Sequence, residues 1–261
     1  MNRWGYADHN GPDLWHEWFP NANGDRQSPI NIITRDTIHD PSLRLRVAYD
    51  PYSARVIINT GHTFTVEFDD QEDKSVISKG PLSANYRLRQ FHFHWGRSDD
   101  HGSEHKVDGQ GYAAELHIVH WDSEKYSNFP EAACQPDGLA VIGVFLKIGE
   151  HNASIERITD AIDVIRPKGK QSPFTNFDLT CLLPGSLDFW TYPGSLTVPP
   201  LLETVVWIVM KEPISISPTQ LAKFRSLLSS CEREKCDSCC MQTNYRPVQP
   251  LRGRIVKASF P

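Results

Sequence analysis

Apolar residues alternate with polar ones, or run together without interruption, in several short stretches of the chain. These are RVIINTGHTFTVEF (55–68), YRLRQFHFHWG (86–96), AAELHIVHW (113–121), LAVIGVFLKI (139–148) and ETVVWIVM (203–210). Rich in Val, Ile, Phe and Trp and bounded by turn residues, they predict β-strands. Helical periods are fewer. SIERITDAIDVI (154–165) places Ile155, Ile158, Ile162 and Ile165 on one face. SPTQLAKFRSLLSS (217–230) opens on a capping Ser with Pro in the first turn, then spaces Leu221, Phe224 and Leu228 helically. Prolines and glycines punctuate the whole length, and no linker, low-complexity block or internal repeat divides it. The pattern predicts one sheet-centred domain over residues 1–261, with peripheral helices.

Composition narrows the function classes. At 261 residues the chain is long enough to bury a substantial core, and its charged and apolar fractions are ordinary for a globular protein. A net charge of -5, without any lysine/arginine block, argues against nucleic acid as a partner. LAVIGVFLKIG (139–149) is too short to span a bilayer, so no membrane partner is expected. MNRWGYADHNGP carries no apolar signal core, which makes the cytoplasm the expected location and the Asn152-Ala153-Ser154 sequon an idle one.

The candidate chemistry centres on QFHFHW (90–95). Strand alternation puts His92 and His94 on one face and Phe91, Phe93 and Trp95 on the other. Two successive inward imidazoles suggest metal ligation. Catalytic zinc sites use three protein ligands and leave a fourth position to water. AAELHIVHW offers His117, which pairs with the first two if these strands are neighbours, with Glu115, Val119 and Trp121 on its face and His120 on the opposite one. Glu115 can hydrogen-bond the second nitrogen of His117, and Gln90 that of His92. Cysteine is absent from both segments, which disfavours a closed structural zinc site.

QFHFHWG, GSEHKVDG (102–109), AAELHIVHW and WTYPGSLTVPPLLE (190–203) occur in that order, between WGYADHNGP (4–12) and QSPINI (27–32) upstream and RPVQPLRGRIVKASF (246–260) downstream. In this the chain resembles the α-class carbonic anhydrases over essentially its whole length, and most closely the cytosolic vertebrate-type isoforms. The resemblance implies a mainly β (α+β) fold, a single domain on a large twisted, mostly antiparallel central sheet of roughly ten strands with short peripheral helices. It also implies one catalytic Zn2+ held by His92, His94 and His117, with water or hydroxide as the fourth ligand, and reversible hydration of CO2 to bicarbonate and a proton. Three neutral imidazoles suit that chemistry, because they leave the ion electrophilic enough to acidify water to a pKa of about 7, the textbook behaviour of carbonic anhydrase itself.

By the same resemblance, Thr197 accepts a hydrogen bond from the hydroxide and donates one to Glu104. A carboxylate has no proton to give, so it compels the threonine to donate in its direction. Val119, Val141, Leu196, Val198, Val205 and Trp207 match the apolar wall that faces CO2, with Val198 standing where many isoforms carry a second threonine. His62 stands at the proton-shuttle position, Tyr6 matches a tyrosine that orders the intervening water, and Thr60 and Thr65 replace asparagines common there. Ser28-Pro29 and Pro199-Pro200 match cis peptide bonds. Water and bicarbonate complete the expected substrates, sulfonamides and anions the expected inhibitors, and a monomer the expected state.

Six cysteines are unevenly placed. Cys134 and Cys181 stand alone, as buried small hydrophobes would. Cys231, Cys236, Cys239 and Cys240 crowd one segment, where a solvated loop with reduced thiols is the expectation and a redox-sensitive or metal-binding patch the alternative. Ala22 and Leu201 occupy the sites of the extracellular isoforms' disulfide, consistent with an intracellular location. Two other functions compete. A noncatalytic relative would lose one or more of the metal histidines, and all three are present. A cupin-type oxygenase also uses HxH, but wants a glutamate shortly afterwards, where this chain has Ser98.

Overall fold

The computed structural model describes residues 4–230 and 239–261. Among these residues, thirteen strands form one sheet. Its path runs Gln171–Pro173, Ala54–Asn59, Phe64–Phe68, Tyr86–Trp95, Ala114–Asp122, Leu139–Ile148, Val205–Met210, Phe189–Gly194, Lys257–Ala258 and Ile38–His39. Leu45–Ala48, Val76–Lys79 and Ile214–Ile216 attach beside it. Most pairings are antiparallel. Leu139–Ile148 runs parallel to Val205–Met210 and to Ile214–Ile216, and Lys257–Ala258 parallel to Ile38–His39. The expected mainly β architecture of about ten mostly antiparallel strands is the one observed, three short strands richer. Both expected cis bonds, Ser28-Pro29 and Pro199-Pro200, are present.

The run 55–68, continuous in its apolar pattern, is two strands of a hairpin. The turn between them is set by Gly61, whose φ of +90° suits glycine alone among common residues, and by Thr60. The Thr60 hydroxyl donates to the Thr63 carbonyl (2.9 Å) and accepts from the Thr63 amide (3.2 Å). This is the local threonine turn that competes with strand continuation.

The two faces of the central strands bury different clusters. Phe91, Phe93, Trp95, Leu116 and Ile118 point into the larger one, under Ile155, Ile158 and Ile162 of helix Ala153–Ile162 and Phe224 of helix Pro218–Arg225. Val119, Trp121, Val141, Val205 and Trp207 point into the other. Each fully buried aromatic or branched aliphatic side chain contributes roughly 1.5–3 kcal/mol, so the two clusters hold the strand register against slippage. Ser217 and Gln220 close a reciprocal capping box on the second helix. That helix ends at Arg225, so the buried position expected of Leu228 is taken by Leu227. Asn152 caps the first helix and donates its amide to the Ser215 carbonyl (3.0 Å), which accounts for the sequon residue structurally.

His120 lies on the face opposite His117, wholly buried. Its Nδ1 donates to the Ala140 carbonyl (3.1 Å), so its Nε2 accepts from the Tyr49 hydroxyl (2.7 Å) and the ring is neutral. Burial holds its pKa down to about 3. The unfolded ring takes up a proton near pH 6.5, the folded one only near 3. Acid therefore favours the unfolded chain between those limits, by about 1.4 kcal/mol per pH unit for this one group. Urea titrations from pH 6.5 to 5 should show stability falling with pH, and His120→Gln should shallow that slope by about one proton. An identical slope in both proteins would contradict the assignment.

The cysteine expectations need correcting. Cys134 and Cys181 are exposed and free, as is Cys240. Cys239 is disulfide-bonded and so is not a reduced thiol. Cys231 and Cys236 lie outside the described residues.

Candidate metal centre

Strands Tyr86–Trp95 and Ala114–Asp122 are antiparallel neighbours, in a register that sets His92 directly opposite His117 and His94 opposite Glu115. The three imidazoles converge: their ring centroids lie 5.0 Å (His92–His94), 5.3 Å (His92–His117) and 4.6 Å (His94–His117) apart. One nitrogen from each falls within 4.8 Å of the others.

The remaining nitrogens are each committed to an acceptor. His92 Nδ1 meets Gln90 Oε1 (2.9 Å), His94 Nδ1 the Asn244 carbonyl (2.8 Å), and His117 Nε2 a Glu115 carboxylate oxygen (2.5 Å). Carbonyl and carboxylate oxygens only accept, so these three nitrogens carry the protons. The lone pairs are left on His92 Nε2, His94 Nε2 and His117 Nδ1. Burial lowers the pKa of all three rings, that of His94 to about 3, which keeps them neutral. His94 Nε2 is buried and, among the described residues, has no hydrogen-bond partner. An unpartnered buried lone pair costs about 1–3 kcal/mol unless something engages it. Three neutral imidazole donors without a thiolate fit a divalent zinc ion with an open position.

Beneath the histidines lies a network of buried charge. Glu115 accepts from the backbone amides of Glu104 (3.1 Å) and His105 (2.8 Å), from His105 Nδ1 (2.8 Å) and from His117. Burial alone would raise its pKa, but His105 and His117 outweigh burial and hold it well below the usual carboxylate range. The Tyr192 hydroxyl stands between His105 Nε2 (2.6 Å) and Ser28 Oγ (2.8 Å), extending the chain of contacts to a second strand. His105, Glu115 and His117 also form a possible ligand group. Their facing atoms are consumed by hydrogen bonds, which makes that group a support for His117.

Glu104 Oε1 accepts from the Arg246 amide (2.9 Å) and lies 3.3 Å from His94 Nδ1. Burial, then the Glu115 charge, pushes its pKa well above the usual carboxylate range, against the smaller opposing pull of the Thr197 hydroxyl and Arg246. Among the described residues, Glu104 Oε2 has no hydrogen-bond partner. A divalent cation among the nearby imidazoles would add a strong pull towards the ionised carboxylate.

Val119, Val141 and Trp207 sit side by side across three strands, Val119 opposite Val141 and Val141 opposite Trp207. Val205 is buried with them, whereas Leu196 and Val198 are partly exposed. The Trp207 ring centroid is 4.8 Å from that of His117. Thr65 lies opposite His92 on the neighbouring strand. Thr60 is occupied by its own turn, and accepts weakly from the His62 amide (3.4 Å). His62 stacks flat on Trp4, 3.7 Å between centroids and 8° between planes. Burial, then the nearby Lys168 charge, lowers its pKa to about 4. Tyr6 packs edge-on against Trp4 and Trp15, close enough to Glu104 for that charge to help raise its hydroxyl pKa after burial.

Three contributors were not singled out in the sequence: His105, Arg246 and Asn244. Asn244 is the most connected. Its carbonyl accepts from His94, its Oδ1 from the Trp95 amide (2.7 Å), and its Nδ2 donates to the His62 carbonyl (2.9 Å). Only the adjacency of His105 to Glu104 in GSEH offered a signal. Towards His94 and Glu104, Asn244 and Arg246 act through a backbone carbonyl and a backbone amide, which residue type does not report.

The family profile described as eukaryotic-type carbonic anhydrase matches residues 10–260. The chain is 58% identical over 258 residues to carbonic anhydrase 3 of Equus caballus, and equally to that of Sus scrofa. Carbonic anhydrase 3 of Homo sapiens is 56% identical over the same span, and in each pair 98% of both chains is covered. A three-histidine cradle on this sheet, two of its rings buried and the third half-buried, and likeness over nearly the full length agree: the chain belongs to the eukaryotic-type carbonic anhydrases.

Proposed function

We propose that His92, His94 and His117 hold one zinc ion at which CO2 is reversibly hydrated to bicarbonate and a proton. The observation that carries this is the convergence of three neutral imidazoles, one of them with a buried nitrogen that no other described residue engages. When bound, zinc supplies the Lewis acidity that makes a hydroxide nucleophile available near neutral pH. Gln90, Glu115 and the Asn244 carbonyl fix the tautomer and tilt of the ligands. Thr197, donating towards Glu104, is left with an oxygen that accepts, and so orients the nucleophile's lone pair. Val119, Val141, Leu196, Val198, Val205 and Trp207 offer an uncharged molecule an apolar seat beside the metal.

His62 serves as the proton shuttle, and Tyr6 helps order the water between it and the metal. In the stacked pose, burial and Lys168 make protonation of His62 unfavourable, so relay requires the ring to leave Trp4 or its surroundings to change. His62→Ala should slow turnover about tenfold or more in weak buffer and leave CO2–bicarbonate interconversion intact, with rescue by added imidazole. An unchanged rate in weak buffer would remove His62 from the relay.

The reading covers residues 1–261 as one catalytic domain, acting as a cytoplasmic monomer on CO2, water and bicarbonate, and inhibited by anions and sulfonamides that compete for the metal. Metal analysis joined to a CO2 hydration assay with an aromatic sulfonamide tests it. One zinc per chain and inhibitor-sensitive hydration are expected; zinc-loaded protein without hydration activity would overturn it.

A further inference from the structure

Glu104 and Thr197 reach the candidate metal centre from segments far apart in sequence. Glu104 is held by the backbone amide of Arg246 (2.9 Å), and Thr197 stands on the loop that joins strands Phe189–Gly194 and Val205–Met210. Neither Arg246 nor Thr197 lies in a strand, so no sheet ladder fixes one against the other.

The side chain that spans this gap is Gln27. Its Oε1 accepts from Arg246 Nη1 (2.8 Å), and its Nε2 donates to the Leu201 carbonyl (3.2 Å) and to a Glu203 carboxylate oxygen (3.1 Å). Arg246 Nη1 donates also to the Ser28 carbonyl (2.8 Å), which fixes the guanidinium in place. Beside it, the Ser28 amide donates to Ser195 Oγ (2.9 Å) and the Ser195 amide to Ser28 Oγ (3.0 Å), a reciprocal pair at the start of the same loop. Gln27 and Arg246 are both buried, so water does not compete for these bonds and an unmade one is costly.

The loop needs such a hold. Leu201 is wholly buried with a φ of +61°, in the left-handed region that bulky side chains rarely adopt. Backbone in that region persists only where its surroundings over-determine it. The Leu201 amide donates to the Val198 carbonyl (2.9 Å), and the Leu196 amide to the Leu202 carbonyl (3.0 Å). A shift at Leu201 therefore passes directly to the turn that carries Thr197, and the Gln27 amide is the contact that ties the Leu201 carbonyl to the opposite side.

We propose that Gln27 is a positioning residue for the hydration step, setting the separation between Thr197 and Glu104. The inference rests on the reading of those two as the pair that orients the nucleophile. Glu104 is fixed on the Arg246 side of the bridge and Thr197 on the Leu201 side. Gln27 acts through both and touches no reacting atom.

The test uses the zinc-loaded full chain. Gln27→Met keeps the length of the side chain and removes all three of its hydrogen bonds. It should lower kcat/KM for CO2 hydration roughly 10- to 100-fold, with one zinc per chain retained. Gln27→Glu keeps the acceptor for Arg246 but loses the donor to Leu201; it should show a loss of the same order, and replaces the first variant if that one does not fold. A merely structural role would cost the same factor whatever stands at position 197. Positioning would not: in a Thr197→Val chain, which has no hydroxyl to place, either change at Gln27 should cost less than about twofold more. Losses that multiply in the double variant, or an undiminished rate in both single variants, would overturn the proposal. A Thr197→Val chain as fast as the parent would overturn the underlying pair and the proposal together, whereas a slow one with multiplied losses removes Gln27 alone.

Discussion

His94→Ala should weaken zinc binding by on the order of 10² to 10⁴ and remove CO2 hydration in proportion to the metal lost. Structural zinc sites in peptides are worth about 10–16 kcal/mol apparent, so one of three protein ligands carries several kcal/mol at about 1.4 kcal/mol per decade. His94 is the sharpest place to look because it is buried and its Nε2 has no alternative partner. Alanine also leaves the Asn244 carbonyl without its donor. Competition against a calibrated chelator would give the affinity, and near-UV circular dichroism would establish that the fold persists. A folded His94→Ala chain that keeps both zinc and hydration activity would remove His94 from the ligand set.

Glu104→Gln is the second large effect, about 10² to 10³ in kcat/KM with zinc retained, by analogy with the loss of a preorganised hydrogen-bond partner. The carboxylate holds the Arg246 amide on Oε1 and faces Thr197. Glutamine keeps the first contact through its carbonyl but turns an amide N–H towards the threonine. The Thr197 hydroxyl would then accept where it should donate, and the nucleophile would lose its orientation. Thr197→Val should cost a similar amount, and the two together little more than either alone, because the residues act as one unit. Additive losses in the double variant would mean that Glu104 acts by another route, such as charge alone.

The parts of the site that could be read from sequence are those carried by side chains on long strands. The ten-residue strand Tyr86–Trp95 and the nine-residue strand Ala114–Asp122 are long enough for period two to set His92 and His94 on one face and His117 with Glu115, and the pairing of the two strands joins those faces. Glu115 and Gln90 came with them, being two residues from a ligand on the same strand. The hairpin within 55–68 was hidden because both its strands are apolar and its turn is short. The shortest strands, such as Lys257–Ala258 and Ile38–His39, have no period to detect. Thr197 and Glu104 needed the family resemblance, for their loops bring them together without any local regularity. Asn244 and Arg246 escaped both approaches, since a backbone carbonyl or amide is the same in every residue type. Cys134 and Cys181 were misplaced because cysteine's average preference for burial says nothing about a residue just after a helix or within a short turn.

The Asn244 carbonyl that steadies His94 lies well over a hundred residues beyond His117 in the chain. During synthesis at roughly 5–20 residues per second, the three histidines leave the ribosome on the order of ten seconds before this partner exists. Until then His94 Nδ1 lacks the 2.8 Å acceptor that holds its proton, and its two tautomers compete. If the three histidines hold zinc as proposed, a ligand set with every ring locked would form only once the segment around Asn244 packs against His94.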